Sequence, residues 1–111
     1  MTIKDFRKLC KEHKAMDYAM VIANSRAKEE YPFTARSLRV NSNLENVEIH
    51  FSMNNKLVDY TNDYITVEEF LKWAGSFKNY GIKIVDISYT WLCKSDVKFW
   101  DEDKVVQLYF I

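Results

Sequence analysis

The sequence predicts an α+β domain, in which an antiparallel β-sheet follows N-terminal helices and one amphipathic helix over about 66–80 packs on a sheet face. Three observations carry that prediction. Val67, Phe70, Leu71, Ala74 and Phe77 share one side of a helical wheel, with Glu68, Glu69, Lys72, Ser76 and Asn79 on the other. Val47, Ile49, Phe51 and Met53 alternate with Glu48, His50 and Ser52, the period of a strand with one buried face. From Ile82 onward the chain is rich in β-branched and aromatic residues, in runs broken by short polar clusters.

In chain order, Thr2 with Asp5 three residues on forms a capping signal for a first helix reaching about His13, with Ile3, Phe6, Leu9, Cys10 and His13 on its apolar side. Residues 15–30 read as a second helix, because Ala15, Ala19, Ala23 and Ala27 recur at helical spacing and Tyr31-Pro32 would stop it. A buried strand at 17–24 is the alternative. Thr34 to Val40 reads as extended, and Asn41-Ser42-Asn43 as a turn. Asn54-Asn55 suits a two-residue hairpin turn that sets Met53 against Lys56, Phe51 against Val58 and Ile49 against Tyr60. The same register places His50 opposite Asp59, which would favour the imidazolium. Thr66 and Glu69 mark the start of the central helix, and Gly81 is a candidate left-handed residue at its end. Ile82 to Cys93 reads as one long strand whose apolar side switches near Ile84-Val85, as at a bulge. Lys94-Ser95-Asp96 and Asp101-Glu102-Asp103-Lys104 read as turns flanking a strand at Val97 to Trp100. Val105 to Ile111 should be a paired, interior strand. Neither a repeat nor a linker is visible, so residues 1–111 read as one domain.

Composition narrows the function classes. The chain has 111 residues, 48% of them apolar and 15% aromatic, with two glycines and one proline, so one packed core is expected and low-complexity segments are not. Its net charge is zero, but residues 1–40 carry nine Lys and Arg against five acids while 41–111 carry seven against eleven. No apolar run is long enough for a bilayer, and the N-terminus has no signal-peptide pattern, which reads as a cytoplasmic chain with reduced thiols.

Glycine-lined phosphate loops and nucleophile elbows are missing from the sequence, and neither His13 nor His50 is paired by sequence with a nucleophile, so the expectation is a non-enzyme without cofactor. Cys10, His13, His50 and Cys93 have the composition of a zinc site but not its spacing. Buried core residues are the better reading of the helical pair, and no metal is expected.

Two surfaces remain as candidates. Asp101, Glu102 and Asp103 beside Trp100, with Trp73 and Tyr80 at one margin of the central helix, suit contact with a protein, and Glu68, Glu69, Asp59 and Asp63 could extend the acidic set. Lys4, Arg7, Lys8, Lys11 and Lys14 line one face of the first helix and, with Arg26, Arg36 and Arg39, suit nucleic acid, although a solvated helix gives the same pattern. The expected function is a small protein-binding module, an inhibitor or adaptor that occludes a partner surface, with nucleic-acid binding as the alternative. Self-association is compatible with either. Small domains of this general kind are common among phage and mobile-element products that block host defence nucleases.

Overall fold

The structure, a computed structural model, describes residues 1–24, 29–31, 33–51, 64–86, 91–93 and 96–110. Its elements run α1 (Ile3–Glu12), β1 (Ala19–Asn24), β2 (Glu29–Tyr31), β3 (Leu38–Asn41), β4 (Asn46–Phe51), α2 (Val67–Ala74), β5 (Gly81–Asp86), β6 (Trp91–Cys93), β7 (Asp96–Trp100) and β8 (Val105–Phe110). The α+β class holds. The strands form two four-stranded sheets, ordered β2-β1-β8-β7 and β3-β4-β5-β6. Each sheet is mixed, since β1 runs parallel to β8 and β4 parallel to β5, while every other pairing is antiparallel.

Both helices start as the sequence predicts. The Thr2 and Thr66 hydroxyls accept the amides of Asp5 and Glu69, and both carboxylates return a bond to the capping residue. The expected second N-terminal helix is not formed. Lys14 closes α1 in the left-handed region at φ 56°, and residues 19–24 and 29–31 are antiparallel strands. Met20, Val21 and Ile22 are fully buried, and β1 is hydrogen-bonded along both edges, to β2 and to β8. Sheet pairing on both sides outweighs the few tenths of a kcal/mol per residue of helix propensity in the alanines.

Four further expectations are corrected. Thr34 caps a short 3-10 turn at Ala35–Ser37 before β3, so that stretch is only partly extended. Gly81 opens β5 and has no left-handed φ. A Cβ there would stand 3.0 Å from Asn46 Oδ1 on the paired strand, so a larger residue would need the Asn46 side chain to shift by a few tenths of an ångström. Ile82 to Cys93 is two antiparallel strands, not one, with Ile84 opposite Leu92, and within β5 the buried positions Ile82, Ile84 and Asp86 alternate without a switch. The Asn54-Asn55 turn and residues 56–61, including Asp59, lie outside the described residues. Ile49, however, expected opposite Tyr60, has Leu38 on one side and Ile84 on the other, so the expected register is corrected there.

The two sheets are built alike. The hairpin β3–β4, helix α2 and hairpin β5–β6 form one ββαββ unit, and β7–β8, α1 and β1–β2 form the same unit across the chain ends. The contacts joining the units come in matching pairs. Val67 N–H donates to Tyr18 C=O at 2.9 Å, and Ile3 N–H to Tyr80 C=O at 3.0 Å. Met20 N–H donates to Ile65 C=O at 2.9 Å, and Ile82 N–H to Met1 C=O at 3.1 Å. Glu45 and Lys104 occupy equivalent hairpin positions, each with φ 53°. Phe6 and Phe70, the matching residues of the two helices, meet edge to face at 5.8 Å. Both helices' apolar stripes and both sheets' inner faces join one core cluster that includes Ile3, Phe6, Phe70, Leu71, Ile22, Ile49, Ile84 and Leu108. Among the described residues, no helix is long and apolar enough to cross a membrane.

Candidate functional site

The four-residue turn Asp101–Lys104 fixes the register of β7 on β8, with Lys98 opposite Gln107 and Trp100 opposite Val105. Lys98, Trp100, Gln107 and Tyr109 therefore share the face of the sheet that points away from the core. Trp100 is 42% exposed, yet its indole Nε1–H donates to Gln107 Oε1 at 2.5 Å. Gln107 is itself 7% exposed, its Oε1 also accepts the Tyr109 hydroxyl, and its Nε2 donates to Glu30 Oε2 at 2.5 Å. The ammonium of Lys98 lies 4.3 Å from the centre of the Trp100 ring. Between these side chains and Glu29 is a depression of about 490 Å³, floored by Ala23. An exposed aromatic ring is thus held in one orientation by its own polar atom, beside two carboxylates.

The acidic turn divides. Asp101 Oδ1 accepts the Tyr18 hydroxyl at 2.7 Å and lies 2.7 Å from His13 Nε2, while the His13 ring stacks on Phe99 at 4.0 Å. The Tyr18 and His13 bonds lower the Asp101 carboxyl below its usual range, and the bond to Asp101 raises the Tyr18 phenol. This cluster ties the hairpin tip to the end of α1. Glu102 and Asp103 remain exposed, as does Lys104, whose ammonium is 3.2 Å from Asp17.

The other sequence candidates do not join this face. Trp73, 37% exposed, and half-buried Tyr80 flank Phe77 at ring distances of 6.4 and 5.3 Å, a separate aromatic margin on α2 and the turn after it. Of the acidic extensions, Glu69 serves the α2 cap, Glu68 is exposed, and Asp59 and Asp63 lie outside the described residues. In the basic stripe Arg7 donates to the Leu71 carbonyl at 3.4 Å, at the end of α2, whereas Lys4, Lys8, Lys11 and Lys14 are exposed and make no ion pair among the described residues. Arg39 bonds the carbonyls of Arg36 and Leu38, and Arg26 is outside the described residues. The metal candidates separate as well. Cys10 is buried in the core, where burial pushes its thiol up to about 12, His13 faces out towards Asp101, and His50 sits on β4, 2.8 Å from Glu48 Oε1. Among the described residues no cluster of metal-ligating side chains forms.

The face missed by sequence reasoning is Lys98, Gln107 and Glu30. Its signal was present: a short turn between two alternating runs puts i and i+2 residues of both strands on one side, so Trp100 implies Lys98 and Gln107 beside it. A related network recurs in the other unit, where buried Glu48 accepts from Asn41 Nδ2 at 3.0 Å and meets His50 at the positions equivalent to Trp100 and Tyr109. A second depression, of about 510 Å³, is lined by Thr34, Arg36, Tyr64, Ile65 and Glu69, and neither depression is lined by His13 or His50. Comparison of the chain with known protein families, with curated proteins and with solved structures finds no match.

Proposed function

We propose that the chain is a non-catalytic protein-binding module, an inhibitor or adaptor acting in the cytoplasm, which occludes a partner surface with the outer face of β7 and β8 and the turn between them. The observation that supports it best is Trp100, exposed yet hydrogen-bonded through its indole N–H to the buried Gln107 amide. Ordering a free side chain at an interface costs about 0.5–1.5 kcal/mol, and a ring already fixed avoids most of that cost. Rigid aromatic side chains in such positions are the usual anchors of protein interfaces. Glu102 and Asp103 at the adjacent turn suit a basic partner surface, such as the nucleic-acid-binding face of a host defence nuclease, with a phage or mobile element as the source.

The experiment is affinity capture from the native host with three proteins: wild type, Trp100→Ala combined with Glu102→Lys, and Lys4→Glu combined with Lys8→Glu and Lys11→Glu. The proposal expects one protein retained by the wild type and by the helix variant but lost with the hairpin variant. Retention independent of the hairpin contradicts it. The exposed lysines of α1 favour nucleic acid as the second reading, which expects filter binding of duplex or single-stranded nucleic acid that weakens steeply with salt and is lost with the helix variant.

A further inference from the structure

We infer that the depression beside Trp100 takes an arginine side chain from a basic segment of the partner, the guanidinium stacking on the indole face against the carboxylates of Glu29 and Glu30. This inference rests on the protein-binding reading and names the chemistry of the partner.

Four features of the site agree on that ligand. The indole N–H is consumed by Gln107, so Trp100 offers a visitor its π face and no donor. The electron-rich face of an indole attracts cations, and this one already holds one: Lys98 Nζ, 4.3 Å from the ring centre. Lys98 therefore stands in for the partner's cation. The lining carries two carboxylates, Glu29 and Glu30, against that single ammonium. Their Oε2 atoms accept from the Tyr31 hydroxyl at 2.6 Å and from Gln107 Nε2 at 2.5 Å, neutral donors that leave both negative charges at the depression. Its volume, about 490 Å³, suits a long side chain with its flanking backbone. Arginine fits better than lysine because a planar guanidinium can stack on the ring and hydrogen-bond to carboxylates with its edge at once. Glu102 and Asp103 on the adjoining turn extend the negative rim along which a basic segment would lie.

The stand-in makes the test sharp. A hexa-arginine peptide is titrated against the full chain while the indole N–H resonance of Trp100 is followed by NMR, with a hexa-citrulline peptide as the uncharged control of the same shape. The expected result is a saturable shift with the arginine peptide alone, and loss of arginine-peptide binding in Trp100→Leu when binding is followed by calorimetry. Lys98→Met should tighten binding by about three- to tenfold, because the competing internal cation is gone. Lys104→Met removes the same charge from the same hairpin without uncovering the ring and should change affinity less. Equal shifts with the citrulline peptide, perturbation confined to the Asp101–Lys104 turn, or equal effects of the two lysine substitutions would each overturn the inference. Loss of a captured protein on Trp100→Ala, together with no response to the arginine peptide, would leave the protein-binding reading standing and remove this one.

Discussion

Single residues carry the clearest local tests of the structure. Lys14, Glu45 and Lys104 have φ of 56°, 53° and 53°, a region that costs a residue with a Cβ about 1 kcal/mol or more. Replacing any of them with Gly is expected to raise stability by about 0.5–1 kcal/mol in urea unfolding, after allowing for the greater freedom of the unfolded glycine chain. The Asp101 tether predicts a pH window. A carboxyl lowered in the folded state contributes stability above its unfolded value near pH 4, which is lost as pH falls through the folded value. The raised Tyr18 phenol contributes below about pH 10, and that contribution is lost as pH rises further. Asp101→Asn should flatten the acid side of the thermal-stability profile, and an unchanged profile would mean that the tether is not formed in solution.

At the scale of elements, helix starts are where sequence and structure agree best, because a capping box is a local contract between residues three apart. By contrast, α2 ends at Ala74, short of the expected 80. Thr2→Ala and Thr66→Ala are each expected to cost about 1 kcal/mol. Phe6→Ala and Phe70→Ala should each cost about 3–5 kcal/mol, and the double variant should cost less than the sum because the rings touch at 5.8 Å. Strands were legible where one face is polar. Val47, Ile49 and Phe51 alternate with more polar neighbours, and all three are buried. Residues 15–30 were misread for the converse reason. A strand buried on both faces has no period of two, and β1 is fully buried from Met20 to Ile22, so its alanines and methionine read as helix. Asp101 and Trp100 were legible as a charged turn and an exposed aromatic, but the division of labour between them was not, because His13, Tyr18 and Gln107 reach them only through tertiary pairing.

At the scale of the molecule, the described residues form two ββαββ units around one core, an organisation hidden in the linear sequence because one unit is split by the chain ends. The trace it leaves is Thr2-Ile3-Lys4-Asp5-Phe6 matched by Thr66-Val67-Glu68-Glu69-Phe70. If the units are equivalent, joining the chain ends with roughly a dozen Gly and Ser residues and opening the chain within residues 52–63 should give a permutant with cooperative unfolding and a similar near-ultraviolet spectrum. Loss of cooperative unfolding would contradict the equivalence. The units differ at matching outer positions, with Trp100, Gln107 and Tyr109 on one sheet and Asn41, Glu48 and His50 on the other. Only the first of these sets carries an exposed tryptophan, and there we place the contact with a partner. The most direct measurement is photo-crosslinking in the native host from a reactive side chain placed at position 102, beside that face, and in a second protein at position 8 on α1. The account predicts an adduct with one protein from position 102 and none from position 8. Adducts with nucleic acid from position 8, and none from position 102, would contradict it.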